Sequence, residues 1–265
     1  MKTVWEYYTR HGRHDLPWRQ SRFLRPYPIL VSELMLQQTQ VQRVQPKFLA
    51  FMQRWPSLAQ LAAATQGEVL RAWQGLGYNR RARYLHQLAQ TLRHSARGRF
   101  PRSEDGLRQL PGIGPYTAAA VCAFAYQQPT ILIETNVRQV YLQHFFAQAD
   151  SVTDQAIAEV LQRTIPADQP REWYWALMDY GSYLKRTEGN LVRRSRHYRK
   201  QSRFVGSDRE IRGAILRAVS TAPNGLTSRE LCTQLSPHEQ ERVKTLCAKL
   251  KQEGLLQHVA TRWRL

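Results

Sequence analysis

Apolar residues recur at three- and four-residue spacing through most of the chain. That period puts them on one stripe of a helix, and it predicts helices over 28–54, 56–64, 67–74, 79–95, 115–126, 136–146, 153–164 and 171–186. Proline and glycine punctuate the pattern at Pro56, Gly75-Leu76-Gly77, Gly98 and Pro111-Gly112. The two-residue alternation of a half-buried strand is nearly absent before residue 255. The pattern changes at 187–206, TEGNLVRRSRHYRKQSRFVG, which is basic and poor in aliphatics. This segment reads as a linker or as a phosphate-contacting arm, and the two readings are compatible. Beyond it, Ser207–Glu210, Thr227–Glu230 and Ser236–Glu239 each have the Ser/Thr-x-x-Glu form of a capping box before an apolar-periodic run. The third, with Pro237 at its first helical position, carries Val243, Leu246, Cys247 and Leu250 on one face and ends at Gly254. LLQHV and TRWRL then read as two short strands. Helices followed by a small hairpin suggest a winged helix, which serves either to read DNA or to bind protein. The expected organisation is a mostly α domain over 1–186, a basic arm over 187–206 and a winged-helix-like domain over 207–265.

Charge narrows the function. The chain has 39 Lys and Arg against 20 Asp and Glu, a formal net charge of +19 over 265 residues. Arginine dominates, and its planar fork matches phosphate geometry, so nucleic acid is favoured over a ribosome-associated or membrane-surface role. No apolar run approaches the roughly 20 residues that a membrane span needs. The N-terminal stretch MKTVWEYYTRHGRHDLPW lacks the apolar region of a signal peptide, so a cytoplasmic protein is expected. The three cysteines, Cys122, Cys232 and Cys247, are far apart, which argues against a disulfide framework and against a cysteine-ligated metal.

Three stretches carry candidate chemistry. In Ser32-Glu33-Leu34-Met35-Leu36-Gln37-Gln38-Thr39-Gln40 a single acid lies among apolar residues and is followed by neutral amides. A solvated helix face would hold more charge, and a core helix would hold no glutamines. In LPGIGPYTAAA (110–120), Pro111-Gly112-Ile113-Gly114 forms a tight turn between helical segments. Its glycines let backbone approach another molecule closely, and the amides opening the next helix suit a phosphate. This is a helix-hairpin-helix signature, which grips the DNA backbone without reading bases. In Ile131-Leu132-Ile133-Glu134-Thr135-Asn136-Val137-Arg138, one carboxylate arrives at an expected helix start, where the helix dipole favours its ionised form. By itself Glu134 reads equally as an N-terminal cap.

Together these stretches resemble the helix-hairpin-helix (HhH-GPD) superfamily of base-excision DNA glycosylases, and within it the MutY-type adenine glycosylases. The resemblance covers about residues 1–186: DLPWR (15–19), SELMLQQTQV (32–41), GLGYNRRAR (75–83), LPGIGPYTAAA (110–120), ETNVRQV (134–140) and ALMDYG (176–181). It implies a two-lobed helical fold. It also implies that Glu33 is the general acid that protonates the departing purine, its pKa raised by apolar surroundings. Gln38 is then expected to wedge into the base stack or touch the opposite base, with Gln37 and Arg80 also at the DNA. Tyr78 matches the intercalating tyrosine that fills the gap left by a flipped nucleotide. Glu134 falls where the family has a catalytic Asp that stabilises an oxocarbenium-like sugar, and Asn136 matches a supporting Asn. Tyr116 stands where bifunctional relatives carry a Schiff-base Lys, which implies a monofunctional glycosylase.

Three departures accompany the resemblance. Glu replaces Asp at 134. The family's iron–sulfur module, whose first cysteine aligns with Lys185, has no cysteines here, so no cofactor is expected. In its place Arg193, Arg194, Arg196 and Arg199 are expected to contact phosphates. Lastly, a winged-helix-like domain stands where MutY proteins usually carry a Nudix-like one. The expected function is a monomeric, monofunctional glycosylase acting on double-stranded DNA with adenine opposite 8-oxoguanine or guanine. The alternatives are a thymine/uracil mismatch glycosylase and a catalytically weakened lesion-binding protein.

Overall fold

The computed structural model describes residues 1–95, 98–198, 200, 203–235 and 240–265. Arg199 and the expected capping box Ser236–Glu239, with Pro237, lie outside the described residues. In chain order the helices are α1 (Lys2–His11), α2 (Pro26–Leu36), α3 (Val41–Arg54), α4 (Leu58–Ala63), α5 (Gln66–Ala72), α6 (Arg80–Ser95), α7 (Glu104–Arg108), α8 (Pro115–Tyr126), α9 (Thr135–Phe145), α10 (Asp154–Thr164), α11 (Pro170–Thr187), α12 (Asp208–Thr221), α13 (Ser228–Gln234) and α14 (Gln240–Gln252). Three short strands, β1 (Leu226–Thr227), β2 (Gln257–Val259) and β3 (Arg262–Arg264), complete a mostly α fold. The chain divides into two compact units. One comprises Met1–Glu33 with Phe100–Lys200, and the other Leu34–Arg99 with Gln201–Leu265.

In the first unit α11 packs against α9 and α1. Trp173, Tyr174, Ala176 and Leu177 of α11 and Val137, Val140 and Tyr141 of α9 are buried there. Gly181 lets α11 approach the start of α9 closely: a Cβ on it would come 2.7 Å from the Cβ of Asn136. The glycine of ALMDYG is thus a packing requirement that sets the position of α9's first turn. Two positions on, toward the N-terminus of α11, buried Asp179 accepts bidentate bonds from Arg19 (2.7 and 3.0 Å) and further bonds from Arg13. Burial raises the Asp179 carboxyl, but the bonds and charges of Arg19 and Arg13 outweigh it and hold the pKa below the usual value. DLPWR and ALMDYG, some 160 residues apart in sequence, are therefore two halves of one buried ion-pair network. Both carboxylate oxygens and both terminal nitrogens of Arg19 are bonded, which offsets the desolvation of the pair, while Arg19 Nε is buried without a hydrogen-bond partner.

In the second unit α6 lies across α4 and α5, around Phe48, Phe51, Leu61, Leu70, Trp73, Leu85 and Leu88. Reciprocal capping boxes start α4 (Ser57–Gln60) and α5 (Thr65–Glu68). The C-terminal helices belong to this same unit. α12 packs on α14 and α5, Gln66 Nε2 donates to Gly254 O at 2.6 Å, and Arg71 Nε donates to Ser220 O at 3.3 Å. The strands form an antiparallel sheet of order β1-β3-β2, with Trp263 opposite both Leu226 and His258. Its hairpin turns at Ala260 and Thr261, both with positive φ (44° and 71°), as a two-residue turn matching strand twist requires. Helices around a small sheet with this hairpin make the C-terminal part winged-helix-like.

The structure departs from the periodicity in places. The single helix expected over 28–54 is two, because the chain turns at Gln37–Gln40 and Gln38 takes φ +56°. Helices α1 and α7 and strand β1 were not anticipated. Thr227–Glu230 forms a reciprocal box. Ser207 caps α12 through Glu210 N, while the Glu210 carboxylate accepts from Gly206 N.

Candidate active site

Helix α2, PYPILVSELML, is apolar on every side, and Tyr27 through Met35 are all buried. Its polar groups therefore need internal partners. Ser32 Oγ donates to Ile29 O within the helix. Glu33, 7% exposed, accepts a bond from Tyr116 Oη at 3.3 Å on Oε2. Burial pushes the Glu33 pKa up to about 7; the Tyr116 bond and Arg19 pull it down and the nearby charge of Glu134 pushes it further up. A carboxyl that would be ionised in water thus keeps a proton available near neutrality. Burial also raises Tyr116 well above its usual value, reinforced by Glu33 and Glu134, so its hydroxyl remains a donor.

Glu134 caps α9. Its Oε1 accepts from Asn136 N (2.7 Å) and Val137 N (2.9 Å), and its Oε2 from Asn136 Nδ2 (3.1 Å). Part of the residue still meets solvent, but protein crowds its carboxyl. Burial raises the pKa despite the backbone donors and Arg138. The helix start therefore eases ionisation without outweighing burial. Asn136 holds the carboxylate by backbone and side chain at once, and Asn136 is itself fixed by the close approach of Gly181. Within this unit the structure thus brings Glu33, Tyr116, Glu134 and Asn136 into one linked group.

Pro111–Gly114 joins α7 to α8 in the same unit. Gly112 takes φ +76°, the exposed Gly112 and Gly114 flank buried Ile113, and α8 starts with Pro115 and no side-chain cap. An uncapped, exposed helix start behind a glycine turn suits an anion. The basic segment is less free than its composition suggests. Val192 and Ser195 are buried. Gln139 Nε2 donates to Gly189 O at 2.8 Å, and its Oε1 accepts from Leu191 N. Arg194 caps the end of α9, donating to the carbonyls of Phe146, Ala147 and Ala149. Arg196 is exposed and donates to Ser151 Oγ at 3.0 Å, and Arg193 is exposed.

In the second unit Gln38 (φ +56°) and Tyr78 (φ +46°) both hold left-handed backbone, which non-glycine residues rarely adopt. Buried Arg81 organises both turns. Its guanidinium donates to the carbonyls of Leu34, Met35 and Gln37 on one side and of Leu76 and Gly77 on the other. Burial lowers its pKa to about 10. Strained backbone held in this way is characteristic of functional turns. Tyr78 is 42% exposed, Gln38 is exposed and Gln37 half-buried. Arg80 is exposed, donates to Tyr84 Oη at 3.2 Å and lies 4.0 Å from Glu253. Arg81 was not singled out from sequence. The available signal was an arginine on the apolar stripe of α6, in register with Leu85 and Leu88.

The residues present do not fit the four-cysteine cluster of the family. The chain has three cysteines, all buried. Burial pushes Cys122 up to about 11 and Cys247 up to about 12, the opposite of what a thiolate ligand needs. Among the described residues no group of three or more His, Cys, Asp or Glu is placed to hold a metal ion.

Residues 31–167 match the HhH-GPD superfamily base excision DNA repair protein model. The adenine DNA glycosylase of Mycolicibacterium smegmatis is 35% identical over 94% of this chain and 90% of its own length. The human adenine DNA glycosylase is 36% identical over 64% of this chain and 33% of its own. The solved structure of a thermostable thymine-DNA glycosylase superposes with a TM-score of 0.58 at 25% identity, covering 68% of this chain and 83% of that one. The chain belongs to the HhH-GPD superfamily of base excision DNA repair proteins.

Proposed function

We propose that the protein is a monofunctional DNA glycosylase that hydrolyses the N-glycosidic bond of adenine opposite 8-oxoguanine or guanine in double-stranded DNA. The observation that carries the reading is Glu33: a buried acid with a pKa of about 7, bonded to Tyr116 and grouped with the capped carboxylate of Glu134. The mycobacterial relative, matched over nearly its whole length, carries the name adenine DNA glycosylase. In this reading Glu33 transfers its proton to a ring nitrogen of the flipped adenine. The glycosidic bond breaks with its electron pair leaving on the base, and the carboxylate of Glu134 offsets the positive charge left on the sugar, as in two-carboxylate glycosidases. Water adds at the anomeric carbon and gives up a proton to Glu33. Tyr116 orients the acid and offers no amine for a Schiff base, so strand cleavage is not expected. Gln38 and Tyr78 enter the duplex around the flipped nucleotide, aided by Gln37 and Arg80. Pro111, Gly112, Ile113 and Gly114 hold the backbone, and the basic arm contributes through Arg193 and Arg196, with Arg199 expected beside them.

The working organisation is a glycosylase segment over 1–186, the arm over 187–206 and the winged-helix-like segment over 207–265. A cluster-free monomer in the cytoplasm is part of the same proposal. No described helix is long and apolar enough to cross a membrane. A single-turnover assay on duplexes bearing adenine, thymine or uracil opposite guanine or 8-oxoguanine tests the proposal. Release of adenine without strand scission is expected. Release of thymine or uracil instead, or binding with no release, would overturn it.

A further inference from the structure

Tyr78 is tied to a part of the chain that the family motifs do not cover. Arg209, on the first turn of α12, donates from Nη1 to Tyr78 Oη at 2.9 Å, and its guanidinium carbon lies 5.9 Å from the ring centre. Its Nη2 donates to the carbonyl of Arg203 at 3.4 Å. One guanidinium therefore spans from the phenol of Tyr78 to the loop Arg203–Gly206.

That loop displays what a protein normally hides. Phe204 is 59% exposed and Val205 83%, the highest values for large apolar side chains among the described residues. The display is built into the backbone. Phe204 O accepts from Ser207 N (3.0 Å) and Oγ (2.6 Å), and Gly206 takes φ +76°. Gly206 N donates to Glu210 Oε2 at 2.6 Å, and Gly206 O accepts from Arg242 Nη2 at 2.9 Å. A loop pinned at this many points holds its two apolar side chains outward instead of letting them fold in. An adjacent exposed apolar pair signals an interaction surface. Its neighbours set the partner's charge: Arg203 precedes the pair, and Arg209 links it to an exposed aromatic.

We propose that Phe204 and Val205 form a second apolar wedge for duplex DNA, set beside Tyr78 and aligned with it by Arg209. The proposal rests on the reading of Tyr78 as a DNA-entering residue. Apolar side chains that enter the minor groove part base steps and kink the duplex, while basic neighbours hold the flanking phosphates. A wedge of this kind would give the C-terminal segment a direct share in gripping DNA around the target nucleotide.

The test uses the full-length protein carrying Glu33→Gln, so that binding is read without turnover, on an adenine-mismatch duplex across a range of salt concentrations. Phe204→Ser with Val205→Ser is expected to weaken binding by about tenfold, the scale of one lost base–aromatic stack. The salt slope should not change, because an apolar contact releases no counterions. Both residues are exposed, so melting temperature should not change either. Unaltered affinity, which is the outcome if the loop serves a protein partner, would overturn the proposal. So would a loss accompanied by a shallower salt slope, which assigns the effect to charge. Tyr78→Ala run alongside separates the two readings. If it binds and, with Glu33 restored, excises like the parent, the DNA-entering role of Tyr78 itself fails. If Tyr78→Ala is impaired and the loop variant is not, only the second wedge fails.

Discussion

At the scale of single residues, the site turns on two glutamates whose pKa values rise for related reasons but whose surroundings differ. Glu33 has one hydroxyl partner and an apolar helix around it, whereas Glu134 is wrapped by three N–H donors at a helix start. The first is suited to hold a proton and the second to hold charge. Because the folded Glu33 pKa, about 7, lies above the value of 4.5 expected without burial, the folded state keeps a proton that the unfolded state has lost between those pH values. Stability therefore falls as pH rises through that window. Glu33→Gln should raise the melting temperature more at pH 8 than at pH 5, with a gain of up to about 3 kcal/mol. The same substitution should abolish base release and leave duplex binding nearly intact. In the parent protein, the single-turnover rate should decline above pH 7. A variant that keeps a tenth of the parent rate, or a flat pH profile, would remove Glu33 from the role of acid. For Glu134, the Gln variant should lose several orders of magnitude in rate, since a neutral amide cannot offset a developing cation. Glu134→Asp should also slow the reaction, because the shorter arm draws the carboxylate back from the sugar. If Glu134 only caps α9, both variants would keep their rate and lose about 1 kcal/mol in stability. If Asp raised the rate, the natural Glu would be a weakened catalyst.

At the scale of elements, the segment after α11 shows how a basic composition can hide two tasks. Arg194 spends its guanidinium on the carbonyls that end α9, whereas Arg193 and Arg196 face solvent. Arg194→Ala should therefore lower stability by about 1–3 kcal/mol, the range for leaving half-buried carbonyls unpartnered, as read by chemical denaturation. Arg193→Ser with Arg196→Ser should leave stability in place and weaken binding to all duplexes alike. The salt slope should fall by about 2, one unit for each lost phosphate contact. Equal effects of the two variants on stability would mean that the exposed pair also packs. Loss confined to one mismatch would mean that the arm reads bases.

At the scale of the whole molecule, a net charge of +19 favours phosphate partners, and the three buried, unpaired cysteines bear on how the fold is held. The segment that follows α11 carries no cysteine and is held by protein groups among its described residues. Gln139 bonds the backbone of Gly189 and Leu191, Arg194 bonds the carbonyls that end α9, and Val192 is buried. The purified protein should accordingly contain no stoichiometric iron, lack visible absorbance near 400 nm (roughly where iron–sulfur proteins absorb), and melt at the same temperature with and without a chelator. Bound iron at one cluster per chain would refute this.

The sequence by itself determined the helical period, most helix segments, the glycine turn at 111–114, the lone acid in SELMLQQTQ and the absence of a cysteine quartet. These are local properties: a 3.6-residue repeat, a glycine turn or a motif is complete within a dozen residues. Only the tertiary structure decided the rest. It split the predicted helix over 28–54, because Arg81 draws the carbonyls of Leu34, Met35 and Gln37 to a charge more than 40 positions away. It set the Glu33 pKa, because burial and the influences of Tyr116, Glu134 and Arg19 come from parts of the chain that no window of sequence contains. It joined DLPWR to ALMDYG through Asp179 and set Arg194, expected from sequence at a phosphate, against the carbonyls that end α9. It also gathered the C-terminal helices into one unit with residues 34–99, where Arg209 meets Tyr78. Hydrogen bonds and burial act over a few ångströms of space, whereas periodicity acts over a few residues of chain, and the two coincide only inside single elements.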